Sequence, residues 1–256
     1  MHLSSMLRMK WFYENYCIGD NETKTVLDIG SYCCEGQSAT YREIFSNDRF
    51  TYIGLDMEEG PNVNIAVKSP YKWTEVEDNF CDIVISGQAF EHIEFPWLTI
   101  KEISRVVKPN GLICIIAPNG FGLHRVPTDC WRYYSDGMIA LAKWAGLEIL
   151  HASTDLAPKN APIIWYGDIN CKGSDCMLIA RKPKQGIKEI DIDNYKCEPF
   201  DLEKMATGLI PVMKQNWRYR NKYNLRIIWG FIVQIKKMII KKTVIHGKNP
   251  SKWAST

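Results

Sequence analysis

This chain of 256 residues has no uninterrupted apolar run approaching the ~20 residues that span a bilayer. Residues 1–16 are polar and aromatic and lack an apolar h-region, so no secretory signal is expected. The nine cysteines are odd in number and contain no CxxC pair, and the adjacent Cys33 and Cys34 cannot easily bridge each other. A disulfide framework and a zinc cluster are both disfavoured; free thiols in a reducing cytoplasm are expected. Internal repeats and low-complexity segments are missing, and so is the dinucleotide fingerprint GxGxxG. Acid is missing from Lys204 to Thr256, which holds twelve of the 32 Lys and Arg. The rest then carries 20 basic against 29 acidic residues, so an acidic body is joined to a basic tail. With 46% hydrophobic and 24% charged residues, general disorder is excluded.

What is present is an alternation of strand and helix patterns. Strands are expected at Val26–Ile29, Tyr52–Leu55, Val63–Val67, Cys81–Ser86 and Leu112–Ala117. A last, antiparallel pair is expected at Leu147–Ala152 and Met177–Ala180. Helices are expected at Met6–Tyr16, Gln37–Phe45, Trp97–Val107 and Gly137–Ala145. This order predicts an α/β, doubly wound, Rossmann-like sheet of seven mostly parallel strands. It divides the chain into a helical lead-in (1–24), a central domain (25–183) and a basic extension (184–256), whose stretch 225–240 is amphipathic.

The run Thr25–Gly36, TVLDIGSYCCEG, is a strand, a glycine turn and an expected helix start. Such a turn brings backbone N–H groups and a carboxylate to the carboxyl end of a parallel strand, where open α/β sheets bind ligands. Asp56 ends the next strand, where an acid accepts the hydroxyls of a ribose. Asp28 stands where a dinucleotide site has glycine, which suits a cationic nucleoside better than a pyrophosphate. It is expected to act through water or the turn backbone.

Five blocks carry a resemblance: VLDIGSY at 26–32, YIGLDMEEGPNV at 52–63, DIVISGQAFEHIEFPW at 82–97, EISRVVKPNGLICIIAPNG at 102–120 and HRVPTDCWRYYSDGM at 124–138. The chain resembles class I S-adenosylmethionine-dependent methyltransferases. The last block, with GQAFEH, resembles a subgroup found with surface-polysaccharide biosynthesis genes. The resemblance implies S-adenosylmethionine as cofactor and S-adenosylhomocysteine as product. Its cofactor side would comprise Asp28, Gly30, Ser31, Tyr32, Gly36, Asp56, Met57, Ser69, Ser86, Gly87 and Gln88. Two departures stand out. The glycine turn is longer and bulkier than usual, and no acid stands near Lys68 or Ser69 beside the adenine.

An alcohol nucleophile must lose a proton, so a base within reach is expected. His92 and His124 are the candidates, with Asp129 beside the latter. Arg125 and Arg132 suit a phosphate or carboxylate, and Trp131, Tyr133 and Tyr134 a sugar ring or base. An Asp129–Arg132 pair bracing the loop is the structural counter-reading. Some methyltransferases bind a divalent ion through a Glu-x-x-Glu-His run on the loop that carries His92. Here the run ends in Glu91-His92 but Gln88 stands where the first Glu would be, and its neutral amide disfavours a hard cation, so no metal is assigned. The implied function is O-methylation of a sugar, nucleotide-sugar or glycan-linked group in capsular or lipopolysaccharide biosynthesis. A methyltransferase of another small molecule or of RNA, and an inactive scaffold of a membrane-associated glycan assembly, remain open. The tail suits the inner face of a membrane, self-association, or less readily nucleic acid.

Overall fold

The computed structural model describes residues 3–19, 22–37, 39–120, 122–125, 127–154 and 175–196, all within the first of two units, Met1–Thr207. The second unit, Gly208–Thr256, and with it the expected amphipathic stretch 225–240, lies outside the described residues.

The apolar runs become strands β1 (Lys24–Ile29), β2 (Phe50–Asp56), β3 (Ile65–Ala66), β4 (Cys81–Gly87), β5 (Val107–Pro118), β6 (Glu148–Thr154) and β7 (Asp175–Arg181). They form one seven-stranded sheet in the order β3-β2-β1-β4-β5-β7-β6. β1 to β5 pair in parallel, and β7 runs antiparallel to both β5 and β6. The strand order reverses between β1 and β4, which opens a crevice at their carboxyl ends.

Side chains alternate across the sheet, so each strand feeds two cores. On one face Leu27, Ile29, Val84, Ile113, Ile115 and Leu178 pack with Ile100 and Ile103 of α2 (Pro96–Val106) and Met138 and Ile139 of α3 (Ser135–Trp144). The alternate residues Val26, Ile83, Ile85, Cys114, Ile116 and Met177 are buried as well, as are Met9 and Phe12 of α1 (Leu3–Phe12). Strands covered on both faces read as continuous apolar runs, which is why CDIVIS and LICIIA stand out in the sequence. Pro96 opens α2 at a position where its missing N–H costs nothing. Gly146, at φ +67, closes α3 and donates to the Lys143 carbonyl. The lead-in helix is Leu3–Phe12, continued by a π turn at Tyr13–Cys17.

The helix expected at Gln37–Phe45 does not form. A single 3-10 turn, Tyr41–Glu43, stands there, and Thr40 and Glu43 cap it reciprocally. A capping box at Thr40 cannot start a helix before Tyr41, which leaves too little chain before Phe50 begins β2. Tyr41 and Phe45 instead bury their rings, Tyr41 sharing a 2.6 Å hydrogen bond with Ser5 of α1.

Candidate active site

The glycine turn closes the carboxyl end of β1. Gly30 sits at φ +76, and a Cβ there would lie 2.4 Å from the Cβ of Ala89, so the turn presses directly on the loop after β4. The N–H groups of Gly30 and Ser31 both donate to the Leu55 carbonyl, at 2.9 and 3.2 Å, fastening the turn to β2. Asp28 is buried and accepts a hydrogen bond from the Tyr52 hydroxyl. Burial pushes its pKa up to about 7 against the opposing effect of that bond. The Asn62 amide donates to the Tyr52 oxygen at 3.2 Å and to the Ser31 carbonyl at 2.9 Å. Asp28 thus reaches the turn backbone through Tyr52 and Asn62.

Asp56 stands at the end of β2 with one carboxylate oxygen on the Tyr32 N–H (2.9 Å) and the other on the Met57 N–H (2.7 Å). The Glu58 N–H also reaches the second oxygen, at 3.4 Å, so the oxygen on Tyr32 is the one that keeps a lone pair for a ribose hydroxyl. Tyr32 packs beneath Gly60, where a Cβ would meet its ring at 2.4 Å. Gly36, at φ +79, faces open space, and Met57 is exposed. Ser31 is buried, and its hydroxyl has no hydrogen-bond partner among the described residues. Ser69 accepts from the Tyr71 N–H at 3.2 Å. Gly87 leaves room for the Tyr41 hydroxyl, which lies 1.8 Å from a would-be Cβ. Gln88 takes φ +58 and donates its carboxamide to Asp175 of β7 at 3.1 Å.

Three expected site residues take other roles. The Ser86 hydroxyl is fully buried and donates to the Ile29 carbonyl at 2.9 Å, tying β4 to β1. Tyr133 is buried in the core, its hydroxyl on the Phe90 carbonyl, because the chain turns inward there to start α3. Arg132 grips both oxygens of Asp129, at 2.5 and 2.8 Å, and also the Gly122 carbonyl at 2.9 Å. It braces the loop instead of facing an acceptor, and it holds the Asp129 carboxyl well below the usual carboxylate range. Arg125 and Trp131 are exposed. The Trp131 indole donates to the Glu94 carbonyl at 3.2 Å and lies edge-on to Trp97 at 6.2 Å.

The two histidines, 32 residues apart in sequence, meet: their ring centroids are 5.0 Å apart, edge to face. His92 rides on a 3-10 turn, Phe90–His92, after β4, and His124 on the loop after β5. Thr128 donates to the His92 carbonyl (2.8 Å), and the Cys130 and Trp131 N–H groups donate to the Glu91 carbonyl (2.7 and 3.2 Å). These bonds sew the two loops together. Close to both rings lies Glu91, fully buried, which the sequence suggested only within a disfavoured metal run and not as a site residue. Its carboxylate oxygen Oε1 lies 3.7 Å from His92 Nε2 and 3.9 Å from His124 Nε2. Neither carboxylate oxygen has a hydrogen-bond partner among the described residues. Burial raises the Glu91 pKa to about 8 and lowers that of His92. The available signal was an acid directly before a histidine at a strand end. Asp129 also accepts from the His124 backbone N–H at 2.7 Å, so the braced loop fixes the second histidine. The cluster therefore sits on the carboxyl edge of β4 and β5, two residues beyond the Gly30–Ala89 contact.

Residues 27–115 match the model of a family described as a methyltransferase domain. No curated protein is significantly similar in sequence. Among solved structures, the chain is similar to the Haloferax volcanii complex of the Trm112 methyltransferase activator with its candidate methyltransferase. That match has 17% identity and a TM-score of 0.51, and covers 71% of this chain and 90% of that one. It is also similar to the [4+2]-cyclase SpnF, with 17% identity, 70% and 80% coverage and a TM-score of 0.50. A third match is a candidate sarcosine dimethylglycine methyltransferase from Galdieria sulphuraria, with 17% identity, 69% and 86% coverage and a TM-score of 0.50. At these identities the solved structures establish the shared fold.

Proposed function

We propose that this chain is an S-adenosylmethionine-dependent methyltransferase, as the match of residues 27–115 to a methyltransferase domain supports, and that it moves the cofactor's methyl group to a hydroxyl oxygen of a sugar, nucleotide-sugar or glycan-linked group. The observation that carries the oxygen acceptor is the Glu91–His92–His124 cluster beside the glycine turn. A hydroxyl placed there gives its proton to an imidazole as its oxygen attacks the methyl carbon. The O–C bond forms, the S–C bond breaks with its electron pair going to sulfur, and neutral S-adenosylhomocysteine leaves. The sulfonium loses its charge in this step, so holding the reactants in line supplies most of the rate, with ~7–11 kcal/mol available from alignment. His124 is the candidate base: its Nδ1 faces the Gly122 carbonyl at 3.1 Å, which puts the proton on Nδ1 and leaves Nε2 to accept.

The cofactor side of this reading is Asp56 at the ribose, with the turn Gly30–Tyr32, Gly36, Met57 and Ser69 around the nucleoside. Gly87 and Gln88 border the methionine end, with Asp28 acting behind the turn. The sugar is supported by the resemblance of the 124–138 block and by the exposure of Arg125, Trp131 and Tyr134 within it. The same reading puts the enzyme in the cytoplasm, its basic tail bringing it to an anionic membrane face or to a second copy. Methyl-labelled S-adenosylmethionine, incubated with nucleotide-sugars and lipid-linked glycans, tests it. A labelled methyl ether supports the reading, and label found only on amines or on RNA overturns it.

A further inference from the structure

The arrangement around Glu91 turns three potential metal donors toward one point. The His92 Nδ1 bonds the Thr128 carbonyl and the His124 Nδ1 bonds the Gly122 carbonyl. A carbonyl only accepts, so both Nδ1 atoms carry the ring proton, and both Nε2 atoms present lone pairs. Those lone pairs lie 3.7 and 3.9 Å from one oxygen of a fully buried carboxylate that has no hydrogen-bond partner among the described residues. With the carboxyl ionised and both imidazoles neutral, three donor atoms for a cation converge. The protein has also fixed both rings from behind, through backbone carbonyls and the Arg132-braced Asp129, whose carboxylate lies 3.5 Å from the His124 Nδ1. Holding the far nitrogen of an imidazole in this way sets the tautomer and aim of a metal ligand.

We infer that Glu91 Oε1, His92 Nε2 and His124 Nε2 form a binding site for a divalent first-row transition-metal ion that also takes oxygens of the acceptor. The three donor groups lie within 4.8 Å of one another. Bonds of ~2.0–2.2 Å to a common ion require them to draw in by about 1 Å or less, which loop side chains accommodate. Two imidazoles and one carboxylate select manganese, iron, cobalt, nickel or zinc over magnesium or calcium. Three protein ligands leave positions open, as a site that handles a substrate needs. The expectation of no metal rested on Gln88, but Gln88 is engaged with Asp175, and the third ligand comes from the loop after β5. The ion site stands on this geometry alone. Its role rests on the oxygen-methylation reading: the acceptor hydroxyl, with a neighbouring oxygen, completes the ion's shell. With the ion in place it would take over the role assigned above to His124: both imidazoles would be ligands, the bound hydroxyl would lose its proton to water, and its oxygen would take the methyl from sulfur.

The test uses the full-length chain, stripped with a chelator and titrated with Co(II), read by its visible d–d bands. One tightly bound equivalent is expected, weakened by about tenfold or more in Glu91→Gln and in His124→Ala. Binding that both variants leave unchanged, or a cobalt–thiolate charge-transfer band, overturns the site. Calorimetry with S-adenosylhomocysteine on each variant shows that the fold and cofactor site survive. Where a variant fails that control, zinc-edge X-ray absorption on the wild type decides. Two imidazole shells with oxygen support the site, and sulfur or oxygen scatterers alone refute it. If the chelated enzyme binds S-adenosylhomocysteine and methylates at full rate, the ion has no role and the methyltransferase reading stands. If no methyl ether forms with or without metal while cobalt binds, the site stands and the acceptor reading falls.

Discussion

His124 owes its place to a chain of residues rather than to its own packing. Arg132 grips Asp129, and Asp129 holds the His124 backbone. His124→Ala should cut turnover by ~10²–10⁴-fold while leaving S-adenosylhomocysteine affinity unchanged. Steady-state kinetics at wild-type rate would remove it from the chemistry. Asp56, which we assign to the ribose, also holds the Tyr32 N–H, so Asp56→Ala should weaken cofactor binding by ~1–3 kcal/mol. Equal calorimetric affinity in both proteins would refute that assignment. Asp28 gives a pH signature. Its carboxyl ionises near 3.8 when unfolded and only near about 7 in the native fold. Between those values the native state keeps a proton that the unfolded state has lost, so stability falls as pH rises and levels off above the window. The slope is at most ~1.4 kcal/mol per pH unit, and Asp28→Asn should remove it. Urea unfolding from pH 4 to 8 checks this, and identical pH profiles for the two proteins would contradict it. The identities of Asp28, Asp56, His92 and His124 could be singled out in the sequence because each stands near or beyond the carboxyl end of a legible strand. Glu91 could not, because its importance comes from His124 arriving across 33 residues of chain. Tyr133 and Ser86 misled for the opposite reason: a polar group at a strand or helix end reads as a site residue until its hydrogen-bond partner is known.

At the scale of elements, the glycine turn and the loop after β4 act as one piece. Gly30→Ala places a Cβ against Ala89 at a left-handed φ, and should destabilise the fold by ~1–3 kcal/mol. Ala89→Gly in the same chain should return the steric part but not the backbone strain. Thermal unfolding of the single and double variants measures both, and a stable single variant would show that the contact gives way. Strands were readable because a sheet covered on both faces needs unbroken β-branched runs, as in β4 and the apolar stretch of β5. The failed helix after the turn was a conflict between two signals. Tyr41 and Phe45 are four apart, a helical spacing, while Thr40 and Glu43 cap a start too late for a helix. Ser5 of α1 meets Tyr41 at the middle of that expected helix, a contact no local pattern announces.

For the whole molecule, the sheet order places cofactor turn, acid and histidine cluster along one edge, at the carboxyl ends of β1, β2, β4 and β5. No helix among the described residues is long and apolar enough to cross a membrane. Attachment through the basic tail predicts that vesicles rich in anionic lipid retain the full chain but not residues 1–196, a difference that salt should abolish. Equal sedimentation of the two would assign the tail another purpose. The account as a whole depends on the bulky glycine turn forming a working cofactor site. Calorimetric titration with S-adenosylhomocysteine, with NAD and ATP as controls, tests this most directly. Saturable binding of S-adenosylhomocysteine alone is the predicted result, with native-state stabilisation of ~2.7 kcal/mol at a hundredfold excess over Kd. No heat and no stabilisation with S-adenosylhomocysteine, or equal binding of NAD, would contradict it.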